Sequence, residues 1–270
     1  AVIDCRGFLP HESLLGGWQV FMGRHLRTAT PHKVDRPVIM DASVDQLSSS
    51  GSGSDFRFVY VLPLGADELF VEDTYYSDSP VLDRRALSSR IEAYCNAHGW
   101  QGEILGGETG VLPVITGGKL GAYQQAHRTQ GVAMAGARGL MVHPLTSYTL
   151  PHAVETALLV AENADLPGDQ LAALLEAQAR RVWKRTGFYR TLGQMLFGAA
   201  KSERRYRIFE RFYGLPEPLI ERFYAARSTF GDKVRILSGR PPVSIPRAVG
   251  ALLSSRDPLT APDQQKDAPQ

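Results

Sequence analysis

The sequence predicts an α/β protein in which strands dominate the first 150 residues and helices dominate the rest. The clearest strand signals are residues 56–65 and 69–78, two runs rich in β-branched and aromatic residues that a short glycine-containing connection joins. This arrangement is typical of a β-hairpin in an antiparallel sheet. From Pro151 onward, apolar residues recur at helical spacing, with breaks at glycine and proline.

Local signals place the other main elements. A helix is predicted near residues 83–98, where Gly99 supplies a C-terminal stop, and a strand is predicted at residues 131–135. Further helices are predicted at residues 151–163 and 169–186, the second with Asp169 as its N-cap.

Glycine and serine clusters predict turns, and the end of the chain predicts disorder. Turns are expected at residues 16–17, 48–54, 106–107 and 117–118. Residues 256–270 are polar and contain proline, which predicts a disordered tail.

Two adjacent carboxylates, Glu72 and Asp73, lie inside the second run of the hairpin. An ionised carboxylate is costly to bury unless a partner compensates its charge or its pKa shifts. The pair therefore predicts either acid chemistry in an apolar pocket or that one or both carboxylates lie on a solvated sheet face. Because side chains alternate along a strand, Glu72 should share a face with Phe70, Thr74 and Tyr76, and Asp73 should lie on the other.

Composition limits the classes of protein that this chain can represent. Its 270 residues, 43% of them hydrophobic, suffice for a substantial core and are typical of a soluble globular protein. The longest apolar runs, such as residues 157–161, fall far short of the roughly 20 residues that span a bilayer. Cys5 and Cys95 lack zinc or redox spacing, so we expect reduced packing residues and no metal site. We recognise no signal peptide.

Positive charge is concentrated in the C-terminal third. Residues 180–240 contain fifteen Lys or Arg and five Asp or Glu, although the whole chain carries only +2. Residues 204–227 interleave arginines with aromatic residues, which indicates either an amphipathic helix with a solvated basic face or a surface that contacts anionic lipid. Nucleic-acid binding is not predicted, because no recognised module is present and the net charge is modest.

Several segments agree in order and spacing with one known family. The hairpin carries Phe-Arg-Phe-Val-Tyr at residues 56–60 and Val-Glu-Asp-Thr at residues 71–74. The other matching segments are residues 2–7, 17–21, 37–46, 110–113, 143–151, 211–217 and 236–243. Together they resemble the bacterial lycopene β-cyclases, a flavin-dependent family, from the first residue to about Ala248.

The resemblance implies a flavoprotein-monooxygenase-like fold, which is a Rossmann-type FAD- and NAD(P)-binding architecture with an antiparallel-sheet substrate domain. Residues 1–30 would be the remainder of the FAD-binding domain, 31–130 the mainly β substrate domain, and 131–165 the return segment of the FAD domain. Residues 166–250 would form a helical, basic region and 251–270 the tail. The chain contains no G-x-G-x-x-G and no initiator Met, so we expect a fragment that lacks the N-terminal βαβ unit, holds no tight flavin and is inactive alone.

The resemblance also implies an activity, the acid-catalysed and redox-neutral cyclisation of lycopene ends to β-ionone rings, through γ-carotene to β-carotene. Reduced FAD would be the cofactor and NAD(P)H its reductant. A carboxylic acid in an apolar pocket stays protonated at neutral pH, so Glu72 is the expected general acid and Asp73 a supporting acid. Aromatic ring faces stabilise cations, and the expected substrate pocket consists of Phe58, Tyr60, Phe70, Tyr75 and Tyr76.

The cofactor-binding residues that the resemblance implies lie in two segments of the chain. They are Asp4, Arg6 and Gly7 in the first segment, and Gly136, His143, Pro144, Thr146 and Tyr148 in the second. Two positions depart from related flavoproteins, since Ala137 replaces a frequent aspartate and Ser147 replaces a frequent glycine.

Two other functions remain open at this point. One is a different flavin-dependent oxidoreductase that acts on polyprenyl or carotenoid substrates, against which the adjacent acids argue. The other is a fragment that binds an apolar lipid without catalysis. The expected partners are lycopene or another linear carotenoid, the membrane surface and other enzymes of the carotenoid pathway. The expected location is the cytoplasm, with peripheral attachment to the inner membrane.

Overall fold

A computed structural model describes residues 1–46, 56–199, 205–238 and 245–261, and these residues form a mixed α/β protein. The strands are Val2–Asp4 (β1), His11–Thr28 (β2), Val38–Asp41 (β3), Phe56–Pro63 (β4), Glu68–Ser77 (β5), Gly102–Gly118 (β6), Val132–Met134 (β7) and Pro258–Leu259 (β8). The helices are Arg84–Ala97 (α1), Leu120–His127 (α2), Leu150–Glu162 (α3), Gly168–Arg185 (α4), Gly187–Ala199 (α5), Tyr206–Tyr213 (α6), Glu217–Tyr224 (α7), Phe230–Leu237 (α8) and Ile245–Leu253 (α9).

Two sheets organise these strands. β1 and β7 form a parallel pair, with Val2 opposite Val132. The larger sheet has the order β3-β4-β5-β2-β6, and β8 pairs with the start of β2. The predicted hairpin is confirmed, because β4 and β5 pair antiparallel from Phe56 opposite Tyr76 to Pro63 opposite Leu69.

Helix α1 packs on one face of the larger sheet and confirms the predicted helix near residues 83–98. The Asp83 side chain accepts a hydrogen bond from the Ala86 amide at 2.9 Å and caps the N-terminus. Leu87, Ile91 and Cys95 recur every four residues and are buried. Burial raises the pKa of the Cys95 thiol to about 11, which agrees with the predicted packing role, whereas Cys5 is exposed and the same prediction was wrong for it.

The chain divides into two compact units. The first contains the described residues of Ala1–Gly17, Pro113–Ala200 and Arg207–Ala261, and the second has Trp18–Leu112 as its body. The unit boundaries therefore fall within β2 and β6, whereas the sequence placed domain boundaries near residues 30 and 130. Within the ranges given above, no helix is both long and apolar enough to cross a membrane.

Several local predictions were wrong for identifiable reasons. Residues 16–17 and 106–107 lie inside β2 and β6 and not in turns. Asp169 lies in the first turn of α4, and Pro167 occupies the N-cap position. The start of the predicted tail is ordered, because β8 pairs with β2 and Leu259 is fully buried. The predicted turn at 48–54 and the residues after 261 lie outside the described part of the chain.

Gly16 shows why a glycine was mistaken for a turn. A Cβ at this position would lie 1.9 Å from the Val114 carbonyl oxygen. The glycine therefore permits a close approach of two backbones within the first unit.

We expect Gly16→Ala to destabilise the protein by about 1–3 kcal/mol, because the added carbon must displace backbone atoms. Urea denaturation measures this difference. Gly121→Ala is the matched control, since a Cβ at that position in α2 meets no atom within 4 Å. The control should be neutral or more stable by about 0.5–1 kcal/mol, and equal effects of the two substitutions would contradict the packing explanation.

Candidate active site

The strand β5 places its two adjacent acids on opposite faces of the larger sheet, as the alternation of side chains predicts. Glu72 lies opposite Tyr60 of β4 and Gly23 of β2. Asp73 lies opposite Val59 and Met22. We call these the aromatic face and the helix face, because the first carries most of the aromatic rings and the second is the face on which α1 packs.

The aromatic face surrounds Glu72 with rings. Phe58 and Tyr60 of β4 contact each other edge to face, with ring centroids 5.2 Å apart. Phe58 also contacts Tyr76 of β5, with centroids 5.9 Å apart. Phe58 and Tyr76 are buried, whereas Tyr60 and Phe70 are half-buried. Four of the five predicted pocket aromatics therefore share a face with Glu72.

Gly23 determines the position of Phe70 on this face. A Cβ on Gly23 would lie 2.1 Å from Cζ of Phe70, so the ring lies directly against the β2 backbone. A similar arrangement occurs beside it, where a Cβ on Gly110 would lie 2.4 Å from Cε1 of Phe21. The two glycines allow these rings to lie low on the sheet.

Glu72 itself is half-buried and has one direct hydrogen bond. Its Oε1 accepts from the Thr74 hydroxyl at 2.7 Å, and Thr74 is fully buried. No lysine, arginine or histidine of the described ranges lies within ion-pair distance of it. Burial raises the pKa of Glu72, the Thr74 hydrogen bond opposes this shift, and the negative charges of Glu108 and Asp73 add to it. Glu72 thus has a greater tendency to stay protonated than an exposed glutamate.

Asp73 has a different environment on the helix face. Arg57 donates from Nε and Nη2 to both carboxylate oxygens, at 2.7–3.0 Å. Asp73 has no exposed surface and the Arg57 side chain is only 14% exposed. Burial raises the pKa of Asp73, and the arginine contact works in the opposite direction. Gln46 holds Arg57 in turn, because its amide donates to the Arg57 carbonyl at 2.7 Å.

The structure does not bring all predicted residues of the catalytic group together. Tyr75 lies on the helix face beside Asp73, and its hydroxyl donates to the Val81 carbonyl at 3.2 Å. Strand alternation separates Tyr75 and Asp73 from Glu72. Neither residue therefore faces the surface that surrounds Glu72.

In the first unit, the predicted cofactor residues Asp4, Arg6, Gly7 and Gly136 converge at the carboxyl ends of β1 and β7. Arg6 donates to both oxygens of Asp4, at 2.9 and 3.0 Å, and holds the pKa of that carboxyl well below its usual range. The Ala135 amide donates to the Asp4 carbonyl at 3.0 Å. Nε of Arg138 lies 3.4 Å from Asp4 Oδ2, is buried and makes no hydrogen bond among the described atoms.

His143 lies in the interior of the same unit. It has no exposed surface, and its ring packs against those of Tyr189 and Phe223, with centroids 4.5 and 5.1 Å away. Its Nδ1 accepts from the amides of Leu145 and Thr146, and burial lowers the pKa of His143 to about 3. The imidazole accepts the amides of the local turn through Nδ1, whereas its Nε2 is buried without a hydrogen bond among the described atoms. The assignment of His143 to the cofactor stays a prediction.

The rest of this segment has mixed exposure. Pro144 is buried and its carbonyl accepts from the Ile115 amide at 2.8 Å, whereas Thr146 is half-buried. Tyr148 is 46% exposed and contacts the Tyr224 ring. Ser147, which replaces a frequent glycine, adopts φ +57° and donates its hydroxyl to the Pro113 carbonyl at 2.6 Å. This hydrogen bond favours a backbone conformation that is costly for a residue with a Cβ.

Sequence reasoning missed Arg57, Gly23 and Arg138. A signal existed for Arg57, since a lone arginine in one apolar strand and a lone aspartate in its hairpin partner are typical of a cross-strand ion pair. The contact of Gly23 with the Phe70 ring and the ion pair of Arg138 with Asp4 depend on residues distant in sequence. Among the described residues, no group of three or more His, Cys, Asp and Glu side chains is arranged to hold a metal ion.

Comparison with known proteins gives a consistent result. The family described as lycopene cyclase protein matches residues 1–249. The chain is similar to lycopene beta-cyclases from Pseudescherichia vulneris (42% identical over 255 residues), Pantoea ananas (39% over 256) and Paracoccus sp. (38% over 253). These alignments cover 94%, 94% and 93% of this chain but only 64%, 65% and 64% of the relatives, so the chain spans about two thirds of their length.

Among solved structures, a geranylgeranyl bacteriochlorophyll reductase-like protein from Thermoplasma acidophilum aligns at 13% identity with a TM-score of 0.41. The alignment covers 93% of this chain and 60% of that chain. A TM-score at this level does not establish a shared fold.

The Arg57–Asp73 pair generates a stability prediction. We expect Arg57→Met to destabilise the protein by about 3–5 kcal/mol at pH 8, because it leaves a buried carboxylate without its partner. The folded-state pKa of Asp73 would then lie further above its unfolded value of about 3.9, so the loss should be smaller at pH 5 and grow as pH rises. Urea denaturation at both pH values measures it.

The matched control for this prediction is the double variant Arg57→Met with Asp73→Asn. It removes the uncompensated charge and should recover most of the lost stability at pH 8. A double variant no more stable than the single one would show that the pair does not act through charge compensation.

Proposed function

Because this chain belongs to the lycopene cyclase family, we propose that the protein is a lycopene β-cyclase of carotenoid biosynthesis. It would close the ends of lycopene to β-ionone rings and convert lycopene through γ-carotene to β-carotene. The observation that carries the proposal beyond family membership is the position of Glu72, a carboxyl with a raised pKa that lies among aromatic rings and has no cationic partner among the described residues.

The proposed reaction adds one proton and removes another. A proton adds to the terminal carbon–carbon double bond of the substrate and leaves a tertiary carbocation. The π electrons of a nearby double bond attack this cation and form the ring bond. Loss of a different proton from the carbon next to the new cation then forms the ring double bond. No electrons are gained or lost overall.

Glu72 would supply the first proton. A general acid must be protonated when the substrate arrives, and burial raises the pKa of Glu72 in the required direction. Asp73 is less suited to this step, since Arg57 binds both of its oxygens on the opposite face of the sheet. We propose that Asp73 acts indirectly, by fixing the strand that carries Glu72.

The rings of the aromatic face would contact the substrate. Phe58, Tyr60, Phe70 and Tyr76 offer π faces that attract a cation without providing a base to quench it. The low position of Phe70 against Gly23 would leave a flat surface for a conjugated hydrocarbon.

We propose FAD in its reduced form as the cofactor, with NAD(P)H as the source of reducing equivalents. The carboxyl ends of parallel strands are the usual ligand-binding edge of such sheets. Gly7 and Gly136, with φ of +92° and +57°, lie at this edge, and a Cβ on either would meet no atom within 4 Å. The flavin would be held by these two glycines, by Asp4 and by Nε of Arg138, which is a hydrogen-bond donor without a hydrogen-bond partner among the described atoms. When bound, the reduced flavin would supply negative charge that stabilises a cationic intermediate.

The proposed partners follow from the chemistry of the substrate. Lycopene is a hydrocarbon that partitions into bilayers, so we propose peripheral attachment of the protein to the inner membrane from the cytoplasm. Transfer of such a substrate favours contact with other enzymes of the carotenoid pathway.

The first functional prediction concerns Glu72. In the protein as encoded by its gene, Glu72→Gln should reduce cyclisation at least 100-fold, because the amide keeps the size of the side chain but cannot donate the proton. Chromatography of the carotenoids formed from lycopene measures the loss, and flavin absorbance should be unchanged. Glu68→Gln, on the same face of β5, is the control and should retain activity. Wild-type product from Glu72→Gln would remove this residue from the role.

The second functional prediction concerns Thr74. Its hydroxyl lowers the pKa of Glu72, so Thr74→Val should raise that pKa. Because the acid works only when protonated, the alkaline limb of the pH–rate profile should move to higher pH. Thr74→Ser keeps the hydroxyl and should keep the wild-type profile. If both variants show the same profile, the hydrogen bond has no influence on the acid.

A further inference from the structure

Helix α8 exposes a row of large apolar side chains. Phe230, Val234 and Leu237 are 83%, 48% and 53% exposed. Their spacing of four and three residues places them on one face of the helix. Asp232, on the opposite face, is buried. The apolar row therefore points away from the protein interior. We call it the α8 row.

The protein holds α8 rigidly from its buried side. Arg222 of α7 binds both oxygens of Asp232 at 2.7 Å. Asp232 also accepts from the Thr229 amide at 2.8 Å, and the Thr229 hydroxyl accepts from the Asp232 amide at 3.1 Å, which completes a capping box. Two sets of hydrogen bonds to one carboxylate fix the orientation of the helix. The α8 row therefore faces away from the protein.

Charge near the row is positive. Lys233 and Arg235 lie on α8, and no acid among the described residues lies within ion-pair distance of either. Asp232, the single acid of α8, is already paired with Arg222. Lys233 borders the row, with its Nζ 5.5 Å from the centroid of the Phe188 ring, and Arg235 lies further round the helix. An exposed apolar stripe on a helix that also carries cations is the pattern of a helix that lies in the interface of an anionic bilayer.

We propose that α8 is the membrane contact of this protein, with the α8 row inserted among acyl chains and Lys233 and Arg235 against anionic headgroups. The choice of a bilayer as the partner rests on the proposed function, since the substrate is a hydrocarbon. This assignment differs from the stretch 204–227 that the sequence favoured.

The structure explains why the stretch 204–227 is less suited to lipid. Arg205 is buried, and Arg211 donates to the Ser238 carbonyl. Arg222 pairs with Asp232 and Arg227 pairs with Glu155. Arg204 lies outside the described residues. Cations that already have partners within the protein contribute little to binding at an anionic surface.

Vesicle co-sedimentation tests the proposal. The protein as encoded should bind phosphatidylcholine vesicles that contain phosphatidylglycerol, and bind them more weakly as salt increases. Lys233→Gln with Arg235→Gln should weaken binding about 30-fold, or about five-fold for each cation. Phe230→Gln with Val234→Gln and Leu237→Gln should weaken binding by at least about 30-fold, because three apolar side chains no longer insert.

Matched controls separate the α8 row from general surface effects. Leu64, Val81 and Ile104 are 55%, 59% and 54% exposed, and their joint substitution by Gln removes similar apolar surface elsewhere. Arg84→Gln with Arg85→Gln removes two exposed cations from α1. Both controls should bind as the wild type does. Circular dichroism and thermal unfolding must show that each α8 variant is folded. If the triple variant is unfolded, the variant with Lys233→Gln and Arg235→Gln provides a milder change.

The outcomes distinguish this proposal from the proposed function. The membrane proposal would be overturned if folded α8 variants bind vesicles as the wild type does. It would also be overturned if the wild type is a dimer in the absence of lipid and the triple variant is a monomer. Conversion of detergent-dispersed lycopene should be unchanged in the triple variant, whereas conversion of vesicle-borne lycopene should fall. Absence of cyclisation by the wild type in both formats would refute the function, and the vesicle-binding result would still decide the role of α8.

Discussion

The ion pair between Arg57 and Asp73 is the interaction on which the arrangement of the candidate site depends. It joins β4 to β5 on the face where α1 packs, and the Gln46 side chain hydrogen-bonds the backbone of Arg57. A shift of one residue in strand pairing would move every side chain of the strand to the opposite face. Such a shift would bury Glu72 beneath α1 and expose Asp73. We interpret the ion pair as a device that fixes the register, since buried ion pairs contribute more to specificity than to net stability in the best-attested cases.

This constraint explains how two adjacent acids acquire different properties. The same strand supplies one carboxylate with a bidentate cation and the other with a single hydroxyl donor. Both experience burial, which raises the pKa of each. Of the two acids, Glu72 faces aromatic rings and Asp73 faces an arginine.

Features set by neighbours in sequence could be predicted, and those set by distant neighbours could not. The hairpin, the two faces of β5 and the limits of α1 follow from alternation and capping, which involve residues a few positions apart. The burial of His143 against Tyr189 and Phe223 could not be predicted, because it depends on tertiary packing. Gly16 was assigned to a turn because glycine is common both in turns and where two backbones approach closely. Only the position of Val114 in the structure shows that the second reason applies here.

Net charge over a segment was likewise an incomplete guide. The counted excess of positive charge in residues 180–240 omits Glu155, which lies outside that range and binds both Arg185 and Arg227 at 2.8 Å. These two arginines hold the pKa of Glu155 near 2 against the effect of burial. The electrostatic surface therefore depends on which cations have partners within the protein.

The strand β6 is an edge strand of the larger sheet, and in the described part of the chain no other strand pairs with its free edge. An uncovered strand edge readily pairs with the same edge of another molecule and starts aggregation. Ile104 and Leu105 are exposed along this edge, and Glu103 and Glu108 are exposed beside them. Carboxylates of like charge would repel a second copy. Glu108, whose charge also raises the pKa of Glu72, thus links the solubility of the protein to the proton affinity of its proposed acid.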